Sequence, residues 1–449
     1  MNPKCIHILN RFGFGPKLQW LENENHKLLS DQNYLVDWIL HSIPAYQNLE
    51  QHINQYSSIS EYKKTDPWRK NWPTSATLSD YIETLVNLDN PIREKLTLFW
   101  NHHVPMSVGI WNFAQNLLID SYRSTVISNY NDLLKSVSAS PCAMKFLNAY
   151  HSKKNAPNQN FARELLELFT VGIDNFNQND VEEVARCFTG RRTVSPDNFN
   201  LPYPYKMYID SSEFDDGIKT IFGKSGKYSG DDAIDILIDQ KTTASKLALN
   251  FMRFFVSDNP KNEHTEELSK FIFSCKFNTL EIVEFILNSK WFYYPEYINN
   301  KVKTPVELWI SFQRSLNIVI ETSKSHSYAL KNFGQTIFHP PNVGGWPWGK
   351  SWLTGKNLEN RIFLLSAFIE ISQDTLPVQK MDLAEKIIYR TTKQNLLGYR
   401  YDHLIYFDSS KLEELLQIHN ISIANWLISE EKNEFDLKQS ITHPSYQYN

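Results

Sequence analysis

The chain has 449 residues, more than one hydrophobic core usually organises, so roughly two or three subdomains or one large helical array are expected. Hydrophobic residues at 41% and charged residues at 21% exclude an intrinsically disordered chain. Lys and Arg number 46 against 50 Asp and Glu, a net charge of −4 without a basic stripe, which argues against a nucleic-acid partner.

In chain order, Met1 to Pro16 carries Lys4, His7 and Arg11 but neither a continuous apolar run nor a small-residue cleavage site. The sequence as written is therefore expected to be cytoplasmic unless a leader has been trimmed. Asn90-Pro91 reads as the cap and first position of a helix running to about His103 and ending before Pro105. On a helical wheel Ile92, Leu96, Phe99 and His103 share one arc, while Arg93, Glu94, Thr97 and His102 fall off it. Pro157-Asn158 predicts a second helix over 159–171, stopped by Gly172, and Asp180 with Glu183 predicts a capped start for 181–189, stopped by Gly190. These two form a helical hairpin. Residues 194–230 change character, with prolines and tyrosines and turn signals at Asp216-Gly217 and Gly223, and are expected to hold a small β or irregular insert. Helical patterns resume over 231–256, 263–275, 279–288 and 305–321. A loop rich in Pro, Gly and Trp follows from Phe338 to Trp352, then a helix over 358–371. That last segment contains the longest apolar stretch, Ile362 to Ile371, which Ser366 and Glu370 break well short of the ~20 residues of a membrane span. Beyond it come helical patterns over 382–389 and 411–418 and a polar tail. The fold expected is mainly α, a multi-helix globular fold, with a domain over 1–375 divisible near 194–230 and a helical extension over 376–449.

Cys5, Cys142, Cys187 and Cys275 lie far apart with no C-x-x-C pair, so they read as small buried hydrophobes. Aromatic residues reach 14%, more than a core alone requires, and some are expected to line a pocket or an interface.

The segments Arg11 to Pro16, Phe99 to Pro105, Asn158 to Gly172, Asp180 to Gly190 and His339 to Pro347 together resemble the bacterial DUF1800 family, in order, over roughly residues 5 to 375. The resemblance implies a helical fold, relatives that are often exported, and a companion protein of the DUF1501 kind. It implies no reaction. It carries over His103, in a Trp-x-x-His pattern with Trp100, and Arg163, Glu164 and Glu167. It departs at Phe169, Arg191 and Phe214, where many members carry His, Trp and His.

For chemistry, His103 offers an imidazole on an apolar stripe, either a hydrogen-bonded core residue or an acid/base group. Arg163 and Glu167 are spaced i, i+4, as in a surface ion pair; the alternative is that they line a cleft with Glu164, where two carboxylates split their pKa values. His103, Glu164, Glu167, Asp215 and His339 are the dispersed residues from which a metal site would have to be drawn. There is no local chelate such as H-E-x-x-H, and no metal or cofactor is assigned. Phosphate loops, dinucleotide fingerprints and nucleophile elbows are also missing from the sequence. The loop from His339 to Trp352 is fixed by prolines, freed by Gly344-Gly345 and loaded with Trp346, Trp348 and Trp352. Either its tryptophans plug the core or, with His339, Asn342 and Arg191, they offer a platform to a glycan or peptide. Of the pair, Trp346 is expected to be buried and Trp348 partly exposed. The function expected is a helical ligand- or partner-binding or maturation protein with a central polar cleft. The alternative is a hydrolase-like enzyme using His103 with Glu164 or Glu167, with or without a metal. A third reading is a scaffold with no ligand pocket.

Overall fold

The computed structural model describes residues 2–21, 24–46, 74–106, 112–193, 207–316, 323–361 and 365. Helix α1 (Pro3–Phe12) starts where the Asn2 side chain accepts from the Lys4 amide at 3.0 Å, with Pro3 supplying a fixed φ at its first position. It is followed by α2 (Gln32–His41), α3 (Thr74–Asn87) and α4 (Ile92–His103). Helix α4 is buried at every residue except Leu98. The wheel predicts one apolar stripe, but Glu94, Lys95, Thr97, Asn101 and His102 are buried as fully as Leu96, Phe99 and Trp100. Charge is tolerated there because it is paired: Glu94 meets Arg123 at 2.6 Å and Lys95 meets Glu307 at 2.5 Å.

Next come α5 (Asn112–Thr125), α6 (Tyr130–Ser138) and α7 (Pro141–Phe146). The hairpin predicted around Gly172 is present, with two corrections. Its first helix, α8 (Gln159–Glu164), widens into a π-turn over Leu165–Phe169. It stops before Thr170, whose hydroxyl donates back to the Leu165 carbonyl at 2.7 Å, and Gly172 takes φ +87°. The second helix, α9 (Gln178–Cys187), begins three residues before the predicted start, because Asn177 and Asp180 form the capping box, each side chain accepting from the other's amide.

The insert consists of two antiparallel hairpins. Strand β1 (Arg191–Thr193) pairs with β2 (Met207–Ile209), Arg192 opposite Tyr208. Strand β3 (Lys219–Ile221) pairs with β4 (Lys224–Gly226) across Phe222-Gly223, both at positive φ, the geometry of a tight hairpin turn. The chain then returns to helix in α10 (Gly230–Ile238), α11 (Lys241–Phe251) with a π-turn over Met252–Val256, α12 (Asn262–Ser274), α13 (Thr279–Asn288), α14 (Pro305–Leu316) and α15 (Ser323–Phe333). The fold is mainly α with a small β insert. No described helix is long and apolar enough to cross a membrane. The predicted helices over 382–389 and 411–418, the tail, and most of the helix over 358–371 lie outside the described residues.

A continuous core runs from Cys5 on α1 to Tyr297. Against it, Val302, Trp346 and Trp352 form a separate cluster that fastens the Trp loop to the segment before α14. Cys5, Cys142 and Cys187 are buried free thiols, and Cys275 is half-buried.

Candidate functional site

His103 and His102 are neighbours with opposite surroundings. At His103 every ring atom that can bond does so. Tyr130 on α6 donates its hydroxyl to the Phe169 carbonyl at 2.5 Å, so His103 Nε2, 3.0 Å from that hydroxyl oxygen, carries the proton and donates. Nδ1 is left to accept from the Asn250 side chain at 2.7 Å. Burial, with the positive charge of Lys246 and the neighbouring His102, pushes the imidazole down to about 3, against a smaller opposing effect of the Phe169 carbonyl. A neutral ring bonded at both nitrogens is a core histidine.

The other residues of the predicted acid/base set lie close by without converging on His103. Lys246 on α11 bridges the two groups, donating to the Glu167 carbonyl at 2.9 Å while its charge acts on His103. Glu164 is half-buried, and burial with the adjacent Glu167 raises its carboxyl despite Arg163. The i, i+4 ion pair predicted between Arg163 and Glu167 is replaced: the π-turn that starts at Leu165 rotates Glu167 out of α-helical register, and exposed Arg163 donates to Gln178 at 2.8 Å. Asp215 is a structural anchor of the insert, held by Arg186 at 2.8 Å, and that hydrogen bond keeps its carboxyl below the usual carboxylate range. Among the described residues no group of three or more His, Cys, Asp or Glu side chains is gathered closely enough to hold a metal ion.

Arg191, predicted to serve a ligand, is buried in the scaffold. It lies over the Phe188 ring at 4.4 Å, reaches Asp231 at 3.2 Å and donates to the Ser138 carbonyl at 3.3 Å. Helix α6 thus meets the His103 network at Tyr130, its first residue, and Arg191 at Ser138, its last, which ties the two segments to one helix without merging them.

The Trp loop lies against the C-terminal end of α4. Gly345 takes φ +82° and passes so near that a Cβ there would sit 2.8 Å from the His102 carbonyl oxygen. Asn342 accepts from the Gly344 amide at 2.8 Å, so its carbonyl group builds the turn. His339 is half-buried, and burial lowers its pKa. The tryptophans divide as their flanks predict: Trp346 is 5% exposed and packed on Val302 and Trp352, whereas Trp348 is half-buried. The ring of Trp348 sits 3.9 Å from that of His102, tilted by 47°.

His102, off the predicted stripe, is the residue that sequence reasoning missed. It is 4% exposed, and neither ring nitrogen has a hydrogen-bond partner among the described residues. Burial and the charge of Lys301 push it down to about 3, with Glu307 opposing. Below it lies a buried charge cluster. Glu307 Oε1 is 2.5 Å from Lys95 Nζ, and Oε2 accepts from Lys301 at 3.1 Å and from the Thr304 amide at 2.8 Å. Lys95 and Lys301 each lie 5.7 Å from the Phe254 ring, which also faces His102 edge-on at 6.1 Å. A separate cavity of about 340 Å³ has Asp258, Tyr297, Val302 and Lys350 among its lining residues, and none of His102, Lys95, Lys301 and Glu307.

The two histidines are expected to make the fold acid-labile. Unfolded imidazoles titrate near 6.5, so between about 6.5 and about 3 the unfolded chain binds more protons than the folded one, and stability falls as pH is lowered through that window. At pH 5 each ring removes about 2 kcal/mol relative to neutral pH. Thermal melts between pH 7 and 5 should show the loss, and His102→Gln should reduce the slope. A melting temperature flat over that range would show that the rings are not buried neutral.

No curated protein and no solved structure matches the chain. Its family does show: the sequence model of the proteins of unknown function termed DUF1800 matches residues 7–431, nearly the whole chain, and the protein belongs to that family.

Proposed function

We propose that this protein binds a ligand or a partner segment at the Trp loop, where Trp348 and His102 meet, and does not use His103 as a hydrolytic acid or base. The observation that carries this reading is the pairing of a half-buried tryptophan with a buried histidine whose two ring nitrogens have no partner among the described residues. Buried polar atoms are normally satisfied, and departures concentrate where a ligand supplies the missing partner. The loop around them is fixed on both sides by the buried Trp346 and Trp352, so it presents Trp348 without a large ordering penalty on binding. A sugar ring or an extended peptide fits an aromatic face of this kind. The DUF1501-like companion that the family resemblance implies is one source of such a peptide.

The hydrolase reading lacks a working base. His103 is neutral and bonded at both nitrogens, and Glu164 and Glu167, one turn apart on a single element, cannot flank a scissile bond from two sides.

Trp348→Ala tests the proposal. It is expected to leave the melting temperature within a few degrees, since the ring is only half-buried, while abolishing retention of the wild-type ligand on glycan and peptide arrays. Undiminished array binding by a folded Trp348→Ala variant would sink the reading.

A further inference from the structure

Helices α12 and α13 pack as a pair and leave one shared face open. Leu268 and Ile272 on α12, with Ile282, Val283, Ile286 and Leu287 on α13, are buried, as the inner faces of amphipathic helices are. Elsewhere on the pair, Glu267 and Phe271 stand one turn apart on α12, and Glu281, Glu284 and Phe285 follow the i, i+3, i+4 row of α13. These side chains line a groove of about 690 Å³, the size of a ligand site, together with Trp291 and Tyr294 from the turns that follow α13. Its aromatic floor is held in place. The rings of Phe271 and Phe285 stack at 4.2 Å and 18°, and Trp291 stacks on His264 at 5.4 Å and 16°. His264 is itself bonded through Nδ1 to the Tyr297 hydroxyl at 2.8 Å, so little ordering is required of these groups on binding.

The groove makes two chemical demands. Glu267, Glu281 and Glu284 are exposed, and none of them forms an ion pair among the described residues, whereas Glu263 and Glu296 pair with His264 and Lys261. Within the groove these three carboxylates meet one lysine, Lys290, and Glu281 and Glu284 repel each other at i, i+3. Beneath them Phe271 and Phe285 are only half-buried, and Tyr294 is 41% exposed. Carboxylates around aromatic faces attract a cation twice, through their charge and through the ring quadrupole. The second demand is for an acceptor. Trp291 is 4% exposed, and its indole N–H has no hydrogen-bond partner among the described residues, although a buried indole is normally satisfied.

We propose that this groove docks a basic peptide segment of a partner protein, whose arginine or lysine side chains lie over Phe271, Phe285 and Tyr294 between the three glutamates. A peptide meets both demands, because it carries cations on its side chains and a carbonyl acceptor at every residue. A polyamine meets only the first. Nucleic acid and an anionic membrane surface carry the wrong charge for this rim. No residue of the Trp loop lines the groove, so the inference stands apart from the binding reading above.

The test titrates a fluorescently labelled Gly-Arg repeat peptide with the full chain and reads anisotropy, with a Gly-Glu repeat as the charge-reversed reference. Binding of the basic peptide should saturate and weaken as sodium chloride is raised, and the acidic peptide should not bind. Glu281→Gln combined with Glu284→Gln should weaken binding about tenfold or more, and Tyr294→Ala should weaken it several-fold. The charge-matched control, Glu83→Gln with Glu182→Gln, removes two exposed glutamates on α3 and α9, outside the groove, and should change it by less than about twofold. All of these are surface changes and should leave the melting temperature within a few degrees. If the groove double variant does not fold, Glu267→Gln on α12 is read in its place, with a several-fold loss expected. No saturable binding overturns the proposal. Equal losses in the groove and control variants overturn it as attraction to net charge alone. Binding that the groove variants leave unchanged overturns it by placing the peptide elsewhere, the Trp loop included. Equal affinity for spermine through the same glutamates makes the groove a polyamine site and removes the peptide.

Discussion

Glu307→Gln is expected to destabilise the fold by about 3–5 kcal/mol, a large fraction of what a folded domain has in reserve. The substitution keeps the shape of the side chain and removes its charge. Lys95, fully buried, and Lys301, 2% exposed, then face each other with no carboxylate between them. Burial alone would raise the Glu307 carboxyl, yet Lys301 and Lys95 hold it well below the usual carboxylate range, so the attraction outweighs desolvation in this pair of contacts. Part of the loss is relieved when Lys95, already pushed down to about 8 by burial against the pull of Glu307, gives up its proton in the variant. Denaturant unfolding measures the effect, with the midpoint falling and the slope unchanged. Adding Lys95→Met to Glu307→Gln should recover a good part of the loss by removing one of the stranded charges. A change below about 1 kcal/mol in the single variant would contradict the account of α4 as a helix whose charges are buried only because they are paired.

Local signals carried much of the fold. Helix α13 occupies Thr279–Asn288, the span its pattern predicts, because Asn278 caps it by accepting from the Glu281 amide and Ser289 ends it. At α9 the same kind of signal was read one motif too late: Asn177-x-x-Asp180 and Asp180-x-x-Glu183 both look like capping boxes, and the first is the one that closes. The π-turn in α8 left no trace in an apolar pattern that fits 3.6 residues per turn as well as a wider one.

The site was legible in part for a physical reason. Loop chemistry is local, so prolines, a Gly pair and flanking residues correctly separated buried Trp346 from half-buried Trp348. Burial of charge is a tertiary property. The partner of Lys95 is 212 residues away in sequence, and a wheel drawn for α4 alone takes Glu94 and His102 off the apolar stripe although both are buried. One clue was available at the start of α14, where Thr304 and Glu307 form a capping box, the Thr304 hydroxyl accepting from the Glu307 amide at 3.2 Å and Glu307 accepting in return at 2.8 Å. Two lysines in the three residues before that box mark the charge cluster, although nothing local says that it is buried.

Trp346→Ala is expected to cost about 3–5 kcal/mol, the range for truncating a large buried aromatic to leave a cavity. The indole belongs to a small buried cluster with Val302 and Trp352, which fastens the loop to the segment carrying Lys301 and Lys303. Collapse into the vacated space is restricted because Gly345, one residue before, already lies against the His102 carbonyl at a left-handed φ that few other conformations can replace. The loss should therefore be felt twice, as reduced global stability and as a loosened loop over His102. Thermal unfolding gives the first, and hydrogen exchange at the amides of Gly344 and Gly345 gives the second. Trp348→Ala serves as the control on the same loop, since its ring covers His102 from the half-exposed side and should alter the melt by no more than a few degrees. Equal and severe destabilisation by both substitutions would make the loop a plug throughout and remove the aromatic platform. Equal and negligible destabilisation would show that Trp346 is not the fastener, and the loop's position over α4 would need another cause.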